Sequence, residues 1–360
     1  MSKKKVLVGM SGGVDSSVAA FLLKEEGYDV TGCTMRLYDY TGIGMEEQNT
    51  CCGINDVEDA AQAAARADVD FRVINFMTEF RQEVMDRFTA EYLRGNTPNP
   101  CIDCNRRIKF GIFKQWAIDN GYDYLATGHY ARKVYKDGRW YLQKAVDDSR
   151  DQSYVLYPVT QDTLSMLLLP LGGLIKSTEV RKIAMEQGFV NATKHDSEDI
   201  CFVPDGDYAA FINRTTNRES RPGEIVDKEG KVLGMHKGAE HYTIGQRRGL
   251  GLAVPESVYV LSKDMETNRV TVGPSKDLFS REFKIRDMFW MRPEPKAGES
   301  FRASCKARYR QKEEPAEFTV MEDGSVTVTM DEPLRAVTTG QAAVIYDGDL
   351  VIGGGTITFI

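Results

Sequence analysis

The sequence predicts an α/β domain with a doubly wound parallel sheet, followed by two small, mostly β domains, the last of them a β-barrel. Short apolar runs alternate with amphipathic helical patterns up to about residue 127, which is typical of parallel strands covered by helices on both faces. Beyond about residue 204 the helical pattern largely stops, and short β-rich runs separated by turn residues take over. These observations place the domains at residues 1–204, 205–280 and 281–360.

Length and composition bound the class of protein. The chain has 360 residues, of which 42% are hydrophobic and 28% charged, as expected for a soluble globular protein of two or three domains. The first apolar run ends after five residues, too short for a signal peptide, and no membrane segment follows, so we expect a cytoplasmic protein. Seven cysteines argue against a disulfide framework. The net charge of -7 neither indicates nor excludes nucleic-acid binding, which depends on local basic patches.

The N-terminal domain is predicted to alternate strands and helices. Its predicted strands are Val6–Met10, Val30–Met35, Phe71–Phe76 and Tyr124–Thr127. Its predicted helices are Ser16–Glu26, Asn55–Ala67, one with Phe80, Val84 and Phe88 on one face, Arg106–Asn120 and Ser177–Gln187. In such a sheet the ligand lies at the carboxyl ends of the strands, so Ser11–Ser17, Met35, Gly128 and His129 become site candidates. Met35 would also suit the core, and Gly128 a simple turn.

The most specific stretch is Ser11-Gly12-Gly13-Val14-Asp15-Ser16-Ser17, between the first strand and the first helix. Adjacent glycines allow successive backbone N–H groups to converge on an anion, and the helix N-terminus adds partial positive charge. The lysine of a G-x-x-x-x-G-K-[ST] loop is absent, so this is a different phosphate-binding turn. Asp15 suits a pyrophosphate that carries Mg²⁺. A helix N-cap alone is the alternative, but it would not require so particular a sequence.

Two cysteines follow a proline-rich stretch. Pro98 and Pro100 predict an extended loop that holds Cys101 and Cys104 at the start of a helix from Arg106. Thiols in that place, flanked by basic residues, should have lowered pKa values and be reactive. Half of a zinc site is the alternative, but the sequence has no second C-x-x-C or H-x₃-H pair to complete it.

The other cysteines carry less information. Cys33 lies in a predicted strand and is expected to be buried in the core. Cys201, taken alone, would also suit a buried thiol. The roles of Cys51, Cys52 and Cys305 stay open.

Turn residues between alternating apolar runs predict three hairpins in the second half. They centre on Lys228-Glu229-Gly230, Asp323-Gly324 and Asp347-Gly348, and Gly353-Gly354-Gly355 predicts a bulge or a close packing point. Two stretches, 242–251 and 302–312, combine arginines and lysines with tyrosine, which fits phosphate contacts and base stacking in RNA. A solvated charged face is the alternative.

The turn at Ser11–Ser17 resembles the PP-loop of the ATP pyrophosphatases, which cleave ATP between the α- and β-phosphates to adenylate a substrate. Along nearly its whole length the chain resembles the tRNA-specific 2-thiouridylases, and the resemblance implies an N-terminal domain of the adenine nucleotide alpha hydrolase-like kind. The motifs that carry it are Gly9-Met10-Ser11-Gly12-Gly13-Val14-Asp15-Ser16-Ser17, Thr97-Pro98-Asn99-Pro100 with Cys104-Asn105, Ala126-Thr127-Gly128-His129-Tyr130, Asp151-Gln152-Ser153-Tyr154, Ile200-Cys201-Phe202, Gly245-Gln246-Arg247 and Arg308-Tyr309-Arg310-Gln311.

The resemblance implies that ATP adenylates the 2-carbonyl oxygen of the wobble uridine of tRNA, and that sulfur replaces this oxygen as AMP and pyrophosphate leave. Cys201 would carry a persulfide from a donor, a cysteine desulfurase or relay protein, and Cys104 would be the nucleophile that closes a disulfide with it. ATP and Mg²⁺ would bind at Gly9, Met10, Ser11, Gly12, Gly13, Val14, Asp15, Ser16, Met35 and Gly128. The target base and tRNA would contact Asn99, Pro100, Cys101, His129, Arg150, Asp151, Gln152, Arg308, Tyr309 and Gln341.

Cys101 departs from the family pattern, because many members have aspartate there, in N-P-D-x-x-C. With Cys104 and Cys201 it would supply three thiolates able to hold a [4Fe–4S] cluster with an open iron. We expect the persulfide relay, for which Cys104 and Cys201 suffice, and predict no firm metal ligand. Two other functions stay open: another PP-loop enzyme that adenylates a small acid or amide, and a non-enzymatic RNA-binding protein switched by ATP.

Overall fold

The structure, a computed structural model, describes residues 2–38, 54–196 and 200–359. Cys51 and Cys52 lie outside the described residues. The chain forms two compact units. The first consists of Met1–Met85, Pro100–Gly206 and Asp349–Ile352, and the second of Asp86–Asn99, Asp207–Gly348 and Gly353–Ile360.

A five-stranded parallel sheet, in the order β3-β2-β1-β4-β7, forms the centre of the first unit. Its strands are β1 (Lys5–Gly9), β2 (Asp29–Arg36), β3 (Asp70–Asn75), β4 (Tyr124–Thr127) and β7 (Leu167–Leu168). The central strand β1 is fully buried from Val6 to Val8, as in a parallel sheet covered on both faces. The predicted α/β sheet is confirmed. Because the strand order reverses at β1, the crevice for a ligand is expected where β1 and β4 end.

Helices connect these strands along the chain. To residue 186 they are α1 (Val14–Glu25), α2 (Ile54–Arg66), α3 (Met77–Phe80), π1 (Arg81–Met85), α4 (Asp86–Leu93), α5 (Pro100–Asp103), π2 (Cys104–Phe113), α6 (Lys114–Asp119), α7 (Ser153–Leu156), α8 (Gln161–Met166), π3 (Lys176–Val180) and α9 (Arg181–Glu186). The first helix ends before Gly27, whose φ of 92° is the left-handed conformation that closes many helices.

The prediction of an extended loop at Cys101 and Cys104 is wrong. Helix α5 begins at Pro100 and continues into π2, so both cysteines lie in its first turns, three residues apart. Proline fits the first helical position because the N–H that it lacks would have no intrahelical partner there. The two prolines therefore mark the start of the helix.

A hairpin that the sequence analysis missed follows β4 in the first unit. Its strands, β5 (Arg132–Lys136) and β6 (Arg139–Gln143), pair antiparallel, and Leu350 pairs with Gln143. The turn is Asp137-Gly138, and both residues have positive φ, as a two-residue hairpin turn requires.

The second unit contains a four-stranded sheet in the order β10-β11-β8-β9. Its strands are β8 (Gly223–Val226), β9 (Val232–His236), β10 (Tyr259–Asp264) and β11 (Arg269–Gly273). The hairpin predicted around Gly230 is confirmed as β8–β9. The expectation that helices stop near residue 204 is wrong for α10 (Tyr208–Thr216), which opens with Asp207 accepting the N–H of Ala210 at 2.9 Å.

Six further strands close into the barrel that the sequence predicts. They are β12 (Phe279–Trp290), β13 (Ser300–Lys306), β14 (Glu314–Val320), β15 (Val326–Arg335), β16 (Ala342–Asp347) and β17 (Leu350–Thr358). Closure occurs because β12 pairs with both β15 and β17. At Gly355 an added Cβ would lie 2.4 Å from the carbonyl oxygen of Arg286, which confirms the predicted close packing point. Among the described helices, none combines the length and the apolar character needed to span a membrane.

Candidate active site

The turn between β1 and α1 pairs the Ser11 N–H with Ser16 Oγ at 3.2 Å and leaves the start of its helix without a side-chain cap. Gly13 is the N-cap of α1, and no side chain caps the helix there. Ser16 and Ser17 are buried and donate their hydroxyls to the Gly13 carbonyl oxygen at 3.1 and 3.2 Å, while Ser11 is exposed. The N–H groups at this helix start, with the helix dipole behind them, can therefore receive an anion.

Two glycines allow neighbouring segments to approach the turn closely. Gly12 has a φ of 75°, and a Cβ on it would lie 2.4 Å from the carbonyl oxygen of Asp56. A Cβ on Gly128 would lie 2.7 Å from the backbone nitrogen of Ser16. The end of β4 is thus packed directly against the start of α1, as the strand-end argument predicts. Met35 lies beside Gly9, with its Cε 3.8 Å from where a Gly9 Cβ would be.

A buried lysine connects the turn to a distant part of the first unit. Lys176 Nζ lies 2.7 Å from an Asp15 oxygen and 2.7 Å from an Asp196 oxygen, and its side chain is 6% exposed. The other Asp15 oxygen accepts the hydroxyl of Tyr130 at 2.7 Å. Arg150 completes the chain of ion pairs with Asp196 at 2.9 Å. Asp15 is therefore a half-buried carboxylate with both oxygens engaged, rather than the exposed side chain that its place in a turn suggests.

The charges of this network determine its ionisation. Burial opposes ionisation of Asp196, but the hydrogen bond from Lys176 and the charges of Lys176, Arg150 and Arg181 outweigh it and lower the pKa of Asp196. Burial, followed by the Asp15 carboxylate, raises the pKa of Tyr130 far above its ordinary value. At neutral pH Asp196 is consequently ionised, and the phenol of Tyr130 keeps its proton to donate to Asp15.

A second brace holds the other side of the turn. The buried amide of Asn191 donates to the Gly12 carbonyl oxygen and contacts Ser17 Oγ, both at 3.0 Å. Lys194 Nζ lies 2.6 Å from carboxylate oxygens of Asp56 and Asp59 at the start of α2. The turn is therefore held by residues from α2 and from the segment after α9.

Both candidate sulfur residues belong to the first unit, and their segments pack on the same helical stretch. Cys101 is exposed, whereas Cys104 and Cys201 are partly exposed. Arg107, one turn after Cys104, reaches Glu83 of π1 at 2.8 Å. Phe202, next to Cys201, packs edge to face on Phe80 with ring centroids 5.7 Å apart.

The two other cysteines that the structure describes are core residues. Cys33 and Cys305 are fully buried, and burial raises the pKa of each thiol to about 12. The prediction for Cys33 is confirmed.

The described part of the chain holds no group of three His, Cys, Asp or Glu side chains arranged to hold a metal ion. Cys101, Cys104 and Cys201 are all described, so in this structure they do not fit the three-thiolate site of a cluster. For Mg²⁺ the turn offers the single carboxylate of Asp15, and Mg²⁺ held mainly by nucleotide phosphates needs only one or two protein carboxylates.

Several predicted tRNA residues of the first unit have internal partners. His129 is buried between Thr127 Oγ1 at 2.7 Å and Lys109 Nζ at 3.4 Å. Burial, with the charge of Lys109, lowers the pKa of His129 well below its usual range, so its ring is neutral. Asp151 is buried and accepts the N–H of Ala145 at 3.0 Å, and Gln152 accepts that of Tyr130 at 2.9 Å. These side chains hold the loops around Gly128, and their contact with tRNA stays a prediction.

In the second unit, Gln341 braces the stretch that leads to Asn99 and Pro100. Its Nε2 donates to the Thr97 carbonyl oxygen at 2.6 Å, and the Thr97 N–H donates to Thr339 at 2.9 Å. Next to Gln341, Gly340 has a φ of 87°, and a Cβ there would lie 2.8 Å from Asn96. Gln341 therefore fixes the conformation of the residues before Asn99.

The basic stretch 302–312 is less open than its sequence suggests. Arg302 forms a two-bond ion pair with Asp331. Arg308 donates to the carbonyl oxygen of Ala336 at 2.6 Å and to the hydroxyl of Thr338. Tyr309 is 37% exposed. Arg308 thus has a framework role in the second unit, while its role toward tRNA stays a prediction.

Sequence reasoning missed Lys176, Asn191, Lys194 and Asp196. Lys176, Asn191 and Lys194 each contact a residue more than 130 positions away, and Asp196 pairs with Lys176 and Arg150 outside its own segment, so local spacing carries no trace of the contacts. Of these four residues, only Lys176 could have been suspected from the sequence. It immediately precedes a predicted helix, and the helix dipole disfavours a cation at a helix start.

Known proteins resemble the chain from end to end. The family model "tRNA methyl transferase HUP domain" matches residues 4–205, "tRNA methyl transferase PRC-barrel domain" residues 209–274, and "Aminomethyltransferase beta-barrel domain" residues 280–357. The tRNA-specific 2-thiouridylase MnmA of Clostridium acetobutylicum is 46% identical over 98% of this chain and 99% of its own. That of Geotalea uraniireducens is 47% identical over 99% of this chain and 95% of its own, and that of Acetivibrio thermocellus 46% over 99% and 100%. With this identity over the full length of both chains, the protein belongs to the tRNA-specific 2-thiouridylase family.

Proposed function

We propose that this protein is an ATP-dependent tRNA uridine 2-sulfurtransferase that adenylates the wobble uridine and replaces its 2-oxygen with sulfur. One observation carries the proposal: the first unit combines a phosphate-binding turn, Ser11–Ser17, with Cys104 and Cys201, whose segments pack on the same stretch, Met77–Met85. A PP-loop enzyme that only adenylates would not need the two cysteines. The full-length similarity to relatives named tRNA-specific 2-thiouridylase supports the same substrate here.

Adenylation uses the turn. The uridine 2-oxygen attacks the α-phosphorus of ATP, and pyrophosphate leaves with the electron pair of the broken P–O bond. Backbone N–H groups at the start of α1 would hold the phosphates, and Lys176, fixed between Asp15 and Asp196, keeps the Asp15 carboxylate neutralised so that it does not repel them. Mg²⁺, when bound to the nucleotide, would supply further charge neutralisation. Gly9, Met35 and Gly128, at the ends of β1, β2 and β4, would line the adenosine side.

Sulfur transfer uses the cysteines. The terminal sulfur of a persulfide on Cys201 attacks C2 of the adenylated uridine, and AMP leaves. A Cys104 thiolate then attacks Cys201 Sγ, which breaks the S–S bond and leaves its electron pair on the sulfur of 2-thiouridine. The resulting Cys104–Cys201 disulfide must be reduced by an external thiol before another persulfide is received. A soft sulfur nucleophile suits this step, since adenylation has already made the oxygen a good leaving group.

Other parts of the proposal rest on the sequence patterns and on the family resemblance. They comprise a cytoplasmic location, a persulfide donor protein, the domain division at residues 1–204, 205–280 and 281–360, and tRNA contacts at Asn99–Cys101, Arg150 and Tyr309. We derive no step through an iron–sulfur cluster, because the three cysteines do not form a site for one.

The test compares tRNA thiolation by wild type and by Cys104→Ser and Cys201→Ser, each supplied with ATP and persulfide, with Cys305→Ser as the buried-thiol control. We expect both active-site variants to lose 2-thiouridine formation while adenylation, measured as pyrophosphate release, persists, and the control to thiolate normally. Thiolation by Cys201→Ser at the wild-type rate would refute the relay.

A second comparison separates the two sulfur routes. Cys101→Asp restores the family's commoner residue and leaves Cys104 and Cys201 in place, so it should thiolate in air with persulfide as well as wild type does. Wild type and variant are also incubated with iron and sulfide without oxygen, and their iron content and thiolation are measured. Thiolation by wild type only when it holds iron would overturn the relay.

A further inference from the structure

An exposed glycine-rich loop, residues 243–258, joins a 3₁₀ turn at Ala239–His241 to β10 in the second unit. Its ends are anchored. The Gly245 N–H donates to the Val260 carbonyl oxygen at 2.8 Å, and the Val260 N–H donates to that of Gln246 at 3.0 Å. Leu250 is buried, and Leu252 packs on the same small core. Hydrogen bonds at its ends and packing of its leucines therefore fix the conformation of the loop.

Gln246 holds the tip of this loop in shape. Its Oε1 accepts the N–H of Thr243 at 2.9 Å, and its Nε2 donates to the carbonyl oxygen of Arg248 at 3.0 Å. Gly249 and Gly251 have φ values of 75° and 66°, so the chain turns at these points in the left-handed region. Such turns can direct successive N–H groups to one side.

The loop exposes two arginines that form no ion pair with the described part of the protein. Arg247 and Arg248 are exposed, and neither forms an ion pair with any residue that the structure describes. Within the same described residues, the backbone N–H groups of Arg248, Gly249 and Gly251 donate no hydrogen bond. Arg269, on the neighbouring strand β11, differs because it is paired with Glu224 at 2.8 Å. Two guanidinium groups and three open N–H donors on one short turn are the elements of an anion site.

A cleft of about 310 Å³ lies against this turn. Its lining includes Arg247, Gly249, Gly251, Pro255, Glu256 and Ser257. The volume is large enough for a sugar–phosphate unit, and the lining has one carboxylate, that of Glu256, besides the guanidinium of Arg247.

We propose that the loop at Arg247–Gly251 is a binding site for the phosphate backbone of tRNA. The proposal rests on the proposed function, since the family supplies the RNA. An exposed loop with two arginines and few polar side chains suits a phosphodiester chain that passes across it, because such contacts give affinity without reading the bases. The site assigns to the middle β domain a role in binding the phosphate backbone of the substrate.

The experiment measures tRNA affinity against salt concentration for the full-length protein and for the double variant Arg247→Ala/Arg248→Ala. We expect the dissociation constant near physiological salt to rise on the order of tenfold, and the slope of log affinity against log salt to fall by about 1.5 units for two lost phosphate contacts. The matched control is Arg214→Ala/Arg218→Ala, which removes the same charge from exposed positions of this domain and should change affinity less than about twofold.

Two more variants guard against loss of folding. Arg247→Lys/Arg248→Lys keeps the charge and should keep most of the salt slope, while losing some affinity because lysine cannot bind phosphate through two bonds. Glu256→Gln removes the carboxylate of the cleft and should tighten binding about twofold to threefold. An unchanged affinity and salt slope in the alanine double variant, beside a wild type that binds and thiolates tRNA, would overturn this inference alone. A wild type that does not thiolate tRNA would instead overturn the proposed function.

Discussion

The chain has two glycine-rich turns that suit phosphate, and they treat charge in opposite ways. The turn at Ser11–Ser17 carries one charged side chain, that of Asp15, and it is paired with Lys176. Lys176 is in turn paired with Asp196. In the loop at Arg247–Gly251 the arginines have no partner among the described residues. A site that performs chemistry needs groups already fixed in place, whereas a surface that only captures a polyanion gains from charge left open.

The largest effect is expected from Asp15→Asn. The amide can still accept from Tyr130, but it no longer attracts Lys176, so the lysine loses its place beside the turn. We expect ATP-to-AMP turnover with tRNA to fall at least about 100-fold, as it does when catalytic groups are displaced by about 1 Å, while the fold stays intact. Asp137→Asn, in an exposed hairpin turn, is the matched control. Normal turnover by Asp15→Asn would contradict the claim that catalysis at the first turn needs the fixed Asp15–Lys176 pair.

Lys176→Met tests whether the first turn depends on neutralised charge. The variant leaves the carboxylates of Asp15 and Asp196 without the buried ammonium between them, and we expect the free energy of unfolding to fall by about 3 kcal/mol. Denaturant unfolding of the two single variants and the double variant Asp15→Asn/Lys176→Met measures the coupling. Strictly additive losses would mean that the ion pair contributes nothing.

Arg308 tests whether an arginine of the basic stretch 302–312 is an open contact for tRNA, as proposed for Arg247, or a framework group, as Lys176 is. Tyr309 is the comparison. Arg308→Ala removes hydrogen bonds to Ala336 and Thr338, so we expect unfolding to require about 2 kcal/mol less. Tyr309→Ala should change stability by less than about 0.5 kcal/mol and weaken tRNA binding instead. If Arg308→Ala is fully stable and only tRNA affinity falls, the guanidinium is a contact and not a framework group.

The smallest effect is a pH dependence of the charge network beside the first turn. Since the folded-state pKa of Asp196 lies below its ordinary value of 3.8, its ionised form contributes stability above that pH, and this contribution is lost as the pH falls through the lowered value. The stability difference between wild type and Asp196→Asn should therefore shrink toward acid. A difference that is constant from pH 6 to pH 3 would contradict the network.

The position of the candidate site could be predicted from the sequence, but the side-chain contacts within it could not. The order of strands and helices places the turn after β1 beside Gly128 after β4, and a parallel sheet requires both to meet at one edge. The contact between Lys176 and Asp15 spans 161 residues and depends on side-chain packing. No local pattern records it.

Two errors had a different origin, because the sequence held the correct information. Proline stops a helix only from within, so Pro100 was compatible with the first helical position. Asp207, an ordinary N-cap residue before Tyr-Ala-Ala-Phe-Ile, marked the short helix α10. The inward direction of Arg308, in contrast, depends on the Ala336 carbonyl oxygen and the Thr338 hydroxyl, which lie 28 and 30 residues away, and could not be predicted.

Closure of the C-terminal barrel restricts how this part of the protein can meet any partner. Since β12 pairs with both β15 and β17, the ring of six strands leaves no strand with a full row of open N–H and C=O groups. Apart from the short contact between β17 and β6, a partner therefore finds no open barrel strand to pair with, which also protects the barrel from edge-to-edge aggregation. Recognition there must go through loops and side chains, and these can diverge among relatives without disturbing the pairing of the strands.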